Sequence, residues 1–258
     1  MTTLHTLASG SSGNAALVSH NGVHILVDAG ISCRRITTAL RTLGLVPEDL
    51  SAVLITHTHT DHIQGLQTFC KHHDVPICAS RRTCAGLEYR IAGIASRLRP
   101  LSGDGTAEIG GVTVASFPTS HDAPGSCGFR IGGAGFLTDS GYVTEEAEEV
   151  LTGVPLLVLE ANHDVETLLS GPYPYYLKER ILGRQGHLSN GDAADFARRC
   201  AENGTKRILL AHLSRENNTP VMARDAVARA LPDGFPLEVA PRDTLGPCLA
   251  WEDEPCRK

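Results

Sequence analysis

The apolar run Ala52-Val53-Leu54-Ile55 ends on Thr56-His57-Thr58-His59-Thr60-Asp61-His62, and this segment constrains the chain more than any other. A short apolar run that stops at a polar cluster reads as a buried strand, placed at 52–56. Side chains alternate along an extended backbone, so His57 and His59 point the same way and both imidazoles can meet one cation. Asp61 and His62 fall where the chain turns into a helix over about 62–73, and they can face a second position. Three His and one Asp within six residues make a costly packing solution but a good ligand set. Mixed imidazole and carboxylate donors suit Zn²⁺, Mn²⁺ or Fe²⁺ and do not suit Ca²⁺.

The rest of the chain alternates short strands and helices. Strands are expected at 4–9, 15–20, 23–28, 76–80, 112–117, 128–131, 135–139, 156–160, 207–212 and 237–240. Helices fit 32–43, 144–152, 174–183, 190–203 and 219–231, the first with Ser32 as N-cap and Gly44 at its C-terminal end. With 258 residues, 41% of them hydrophobic, the chain can bury a sizeable core. No linker, low-complexity stretch or internal repeat stands out, so one domain over 1–258 is expected. No apolar run reaches the roughly 20 residues that span a bilayer. The opening MTTLHTLASGSSGN lacks a basic n-region and apolar h-region, so no membrane partner is expected and the cytoplasm is the expected location. The eight cysteines form no CxxC pair and read as thiols, mostly small core hydrophobes. A net charge of −6 argues against bulk steering towards nucleic acid. A local basic groove remains open, from Arg34, Arg35, Arg81, Arg82, Arg97, Arg99, Arg198 and Arg199.

One segment cannot close a site for two metals. Further ligand types stand at the ends of apolar strands: His121 in Ser120-His121-Asp122, Asp139 closing GFLTD, and His212 closing RILLAH. In the order HxHxDH, His, Asp, His, the chain resembles the metallo-β-lactamase-fold superfamily of hydrolases. The resemblance implies an α/β fold, a four-layer αββα sandwich of mixed sheets, with a dinuclear metal site at one sheet edge. It implies that His57, His59 and His121 hold one metal, that Asp61, His62 and His212 hold the other, and that Asp139 bridges them. Two divalent ions per chain, Zn or Mn, are the implied cofactors. Asp28 in ILVDAG matches the Asp that supports the site in many members.

The fold hosts several chemistries, so function rests on the site. Asp139 stands where many lactamases carry Cys, and Ile63-Gln64-Gly65 replaces the paired glycines of the glyoxalase II type. Leu159-Glu160-Ala161-Asn162-His163-Asp164, Gly186-His187-Leu188-Ser189-Asn190 and the stretch from Ala211 to Asn218 closely resemble the bacterial YycJ/WalJ-type proteins. Those are regarded as 5′ to 3′ DNA exonucleases. The same trio is more loosely similar to tRNase Z, without its inserted arm. The resemblance therefore implies a nucleic acid partner, DNA favoured over RNA. Two cations about 3.5–4 Å apart would lower the pKa of a bridging water towards 7 for attack on phosphorus. Asp61 can orient that water, and His187 is the candidate acid for the leaving oxygen, oriented by Glu160. The loop with Ser11, Ser12 and Asn14 could cradle a phosphate, with Ser189, Ser214 and Asn217 as further contacts and His163 lining the pocket or supporting a ligand. The competing readings are hydrolysis of a small ester, thioester or lactone in a closed apolar cavity, and a non-enzymatic regulatory or scaffolding module.

Overall fold

The computed structural model describes residues 2–102 and 105–251. Strands β1 (Thr2–Ala8), β2 (Ala15–His20), β3 (Val23–Val27), β4 (Leu50–Ile55), β5 (Ile77–Ala79) and β6 (Leu98–Pro100) build a first sheet in that order. Strands β7 (Thr106–Ile109), β8 (Val112–Pro118), β9 (Cys127–Ile131), β10 (Ala134–Leu137), β11 (Leu156–Glu160), β12 (Arg207–Ala211) and β13 (Leu237–Val239) build a second. The last strand, β14 (Leu249–Trp251), returns to pair antiparallel with β1. Both sheets are mixed in the same sense: β1 to β3 and β7 to β10 pair antiparallel, whereas β4 to β6 and β11 to β13 add on in parallel. The sequence shows no repeat because the two halves share pairing geometry rather than residues.

Helices α1 (Cys33–Thr42), α2 (Thr60–Ile63), α3 (Leu66–His72) and α4 (Arg81–Arg90) follow strands of the first sheet. Helices α5 (Glu145–Leu151), α6 (Val165–Ser170), α7 (Tyr175–Leu182), α8 (Asn190–Glu202) and α9 (Pro220–Ala228) belong to the second half. Strand alternation sorts the apolar side chains into layers. In β4, Ala52 and Leu54 face the second sheet, while Val53 and Ile55 face α1 and α3. In β12, Leu209 and Ala211 join the layer between the sheets, and Ile208 and Leu210 pack under α8 and α9. Strands buried on both faces carry continuous apolar runs, which is why β4, β11 and β12 stand out in the sequence. Three apolar layers between four structural ones give the αββα sandwich that the motif order implies.

The expected helix over 62–73 is two helices. Gly65 passes so close to the loop after β3 that a Cβ would lie 2.0 Å from the Ile31 carbonyl, and Gly30 likewise meets the Asp61 carbonyl at 1.7 Å. Ala29 N donates to His62 O and Gly65 N to Ala29 O, both at 2.8 Å, so the β3 loop clamps the histidine loop. Helices α4 and α6 and strands β6, β7 and β14 were not expected from the sequence. Six described cysteines are buried thiols and Cys248 is exposed; Cys256 lies outside the described residues. Among the described residues, no helix is long and apolar enough to cross a membrane.

Leu54 is fully buried between the sheets. Leu54→Ala should lower unfolding free energy by about 2–5 kcal/mol in urea titrations, because transfer loss and a cavity add together. A loss below about 1 kcal/mol would mean that the layer between the sheets is not closely packed.

Candidate metal centre

Strand ends aim the candidate ligands at one edge. β4 delivers His57, His59, Asp61 and His62; the loop after β8 delivers His121; β10, β11 and β12 deliver Asp139, Glu160 and His212. Three of the turning residues, Asp28, Asp139 and His212, have left-handed φ of 60°, 58° and 56°. Non-glycine residues seldom adopt that conformation, and those that do cluster at functional sites.

Ligand-type atoms of His57, His59 and His121 lie within 4.8 Å of one another, and so do those of Asp61, His62 and His212. Asp139 sits between the two groups: Oδ2 is 3.2 Å from His62 Nε2, and Oδ1 is 3.6 Å from His212 Nε2 and 3.7 Å from His121 Nε2. A third overlapping group joins Asp139 and His212 to Glu160 and His187.

In three of these histidines the other ring nitrogen is already satisfied. His62 Nδ1 donates to Asp28 Oδ2 at 2.7 Å, His121 Nδ1 to the Gly186 carbonyl at 3.1 Å, and His212 Nδ1 to Glu160 Oε1 at 2.8 Å. Such bonds fix the tautomer and leave Nε2 as a lone-pair donor, the usual arrangement behind a metal. Asp28 is itself held by Thr56, whose N–H and hydroxyl donate to its carboxylate at 2.9–3.1 Å. His57 Nε2 and Asp139 Oδ2 are buried with no hydrogen-bond partner. Buried polar atoms are nearly always paired. These two atoms, within groups of convergent imidazole and carboxylate donors, fit a divalent cation.

Electrostatics agree. Burial, with His62 beside it, holds His57 well below the ordinary imidazole range, so its lone pair is free. Burial opposes ionisation of Glu160, yet His187 and His212 hold its carboxyl down at about 2. Burial also works against protonated His212, but Asp139, Asp61 and Glu160 outweigh it and raise the imidazole to about 10. The same carboxylate field would attract a cation in place of that proton.

Glu160 is shared more widely than a pair with His187 would require. Oε1 accepts from His187 Nδ1 and His212 Nδ1, each at 2.8 Å, and Oε2 accepts the N–H groups of Ser140 and Leu188 at 3.2 and 3.1 Å. His187 is partly exposed, unlike the buried carboxylate that orients it. Asn14 Nδ2 reaches His62 Nε2 at 3.1 Å and Asp61 Oδ2 at 3.4 Å, so it borders the cluster. Ser11 and Ser12 are exposed on the same loop. Ser189 caps α8 in a box with Asp192, and Ser214 Oγ accepts the Asn217 N–H at 3.2 Å. Asn217 is fully buried, and His163 is buried with neither ring nitrogen partnered.

The rim of the cluster carries no motif in the sequence. Asp122 Oδ1 lies 3.4 Å from His59 Nε2, and its Oδ2 accepts Arg180 Nε at 2.6 Å. Arg180 and Arg184 line a cleft of about 570 Å³ with Ser120, Asp122, Glu179 and Gln185. Four arginines suggested for a groove are instead paired, Arg35 with Asp243, Arg97 with Asp74, Arg198 with Glu202 and Arg199 with Glu148. The bond from Asp28 to His62 carries its own test. Asp28→Ala should weaken metal binding about 10- to 100-fold, read by competition with a chelating dye. Unchanged affinity would leave Asp28 a purely architectural residue.

Residues 24–213 match the family described as a Beta-lactamase superfamily domain. Exodeoxyribonuclease WalJ of Streptococcus pneumoniae is 39% identical over 232 residues, covering 87% of this chain and 86% of the relative. Exodeoxyribonuclease YycJ of Bacillus anthracis is 37% identical over 235 residues, 89% of each chain. The metallo-β-lactamase fold protein YhfI from Bacillus subtilis superposes with a TM-score of 0.72 at 17% identity, over 96% of this chain and 98% of its own. Fold, ligand order and sequence likeness along most of its length agree: the chain belongs to the β-lactamase superfamily.

Proposed function

We propose that this chain, a metal-dependent hydrolase by family and fold, is a dinuclear phosphodiesterase that removes nucleotides from the 5′ ends of DNA. The observation that carries the reading is the partly exposed imidazole of His187, held by buried Glu160 directly beside the ligand cluster. His57, His59 and His121 would hold one ion, Asp61, His62 and His212 the other, with Asp139 shared. Bound Zn²⁺ or Mn²⁺ would supply an activated water and neutralise charge on the phosphoryl oxygens. Asp61, at the cluster edge, orients the attacking water. His187 donates Nδ1–H to Glu160, which turns Nε2 towards substrate to protonate the leaving oxygen. Likeness to two exodeoxyribonucleases supports DNA as the polymer, and the 5′ to 3′ direction is carried over from the motif resemblance alone. The open cleft, with the charged side chains of Arg180 and Arg184 in its lining, suits a phosphodiester chain better than a small apolar ester.

End-labelled single- and double-stranded DNA and RNA, incubated with Mn²⁺ or Zn²⁺, test this. EDTA and His59→Ala serve as controls. Mononucleotide release from labelled 5′ ends, absent in both controls, is the expected result. A metal-loaded protein that cuts no polymer but turns over thioesters or lactones would overturn it.

A further inference from the structure

Arg184, on the wall of the cleft, makes a cation–ring contact with Tyr142 that the proposed hydrolysis does not use. The Arg184 guanidinium lies 4.5 Å from the centroid of the Tyr142 ring. Both side chains are exposed, Tyr142 by 39%. Their backbones are nevertheless tied to the site. Ser120 Oγ donates to the Arg184 carbonyl at 2.7 Å, and Gly141 N donates to Ser120 O at 2.9 Å. Gly141 packs so tightly there that a Cβ would lie 2.3 Å from the Arg184 oxygen. Tyr142 follows closely on Asp139, Ser120 precedes His121, and Arg184 precedes His187. The pair is therefore set in position relative to the ligands by short stretches of anchored chain.

Charge distinguishes the two cleft arginines. Arg180 is neutralised by Asp122 at 2.6 Å. Among the described residues, Arg184 has no carboxylate within ion-pair distance. Its Cζ lies over the Tyr142 ring, and the rest of the exposed guanidinium is open to a planar partner. Further out, Tyr176 is 72% exposed and lies one helical turn before Arg180 on α7, which adds an aromatic to the same side.

We propose that the guanidinium plane of Arg184, backed by Tyr142, stacks on an unpaired base beside the scissile phosphate and so selects single-stranded nucleic acid ends. The inference rests on the phosphodiesterase reading and adds a substrate preference to it. A paired base inside a duplex already has both faces covered, whereas an unpaired one can stack on an aromatic ring or an arginine plane. A contact to phosphate alone would need only the charge, which lysine keeps without the plane.

Arg184→Lys and Tyr142→Ala, compared with wild type, separate these roles. Substrates are one DNA strand free and in a blunt duplex, with bis(p-nitrophenyl) phosphate as a diester lacking bases. Single-strand cleavage should fall about fivefold to about a hundredfold in both variants, with a smaller change on the duplex. Tyr142→Phe keeps a ring face and should restore the wild-type ratio between the two DNA substrates. Arg184→Lys with the wild-type ratio, or equal losses on both substrates, overturns the proposal. DNA cleavage by wild type with that result removes this inference alone. Hydrolysis of the small diester with no cleavage of any polymer removes the nuclease reading, and the inference with it.

Discussion

Asp139→Ala protein should emerge from purification without its metal, and its turnover should fall on the order of a thousandfold or more, equivalent to about 4 kcal/mol of lost stabilisation. Asp139 is almost wholly buried and lies within 3.7 Å of His62, His121, His187 and His212. Burial alone would keep its carboxyl protonated, but His212 and His62 hold it well below the carboxylate range. Without that anion, His57 faces His59, His62 and His121 at ring separations of 4.2–5.1 Å with no shared counter-charge. Alanine is also strained at a φ of 58°, so Asp139→Asn serves as the companion, since asparagine tolerates that backbone. Metal per chain by elemental analysis, alongside DNA turnover, decides the matter. Full occupancy in Asp139→Ala would refute the bridging assignment.

His187→Ala should slow DNA cleavage about 10²- to 10⁴-fold while metal content stays at the wild-type level. Glu160 bonds His187 and His212 through one oxygen, so loss of the His187 ring leaves the His212 bond in place. A lost proton donor hurts most where the leaving group is a poor one. The deficit should therefore shrink on a diester with a nitrophenol leaving group, which departs unprotonated. Unchanged DNA turnover would remove His187 as the acid. An equal deficit on both substrates would assign it to ground-state positioning.

The candidate ligands were legible because they follow apolar strands, where period-two burial stops and a His or Asp comes next. β4, β11 and β12, buried on both faces, announce themselves. Helix α4 does not, since its buried face consists of Thr83, Cys84 and Leu87 and carries no apolar period. Strands β6 and β14 span three residues each, too short for alternation to register. Ser189 was readable as a helix cap from Asp192 three positions on, a signal that lay in the sequence. The rim was not readable. Asp122 meets Arg180, and Tyr142 meets Arg184, only because the loops after β8 and β10 fold against α7 and the segment that follows it. No local pattern encodes such a meeting. Asn190 and Asn218 make a reciprocal amide pair at 3.1 and 2.8 Å where α8 and α9 begin, hidden for the same reason.

The candidate ligands are divided between the two sheets. His57, His59, Asp61 and His62 come from the first, and His121, Asp139 and His212 from the second. A cation held by both groups has no equivalent binding place on the unfolded chain. Mass action then adds about 2.7 kcal/mol of stability when free metal stands a hundredfold above its dissociation constant. Thermal midpoint, resistance to proteolysis and cellular abundance become readings of metal supply. Scarcity would thin the population of the enzyme as well as silence its members.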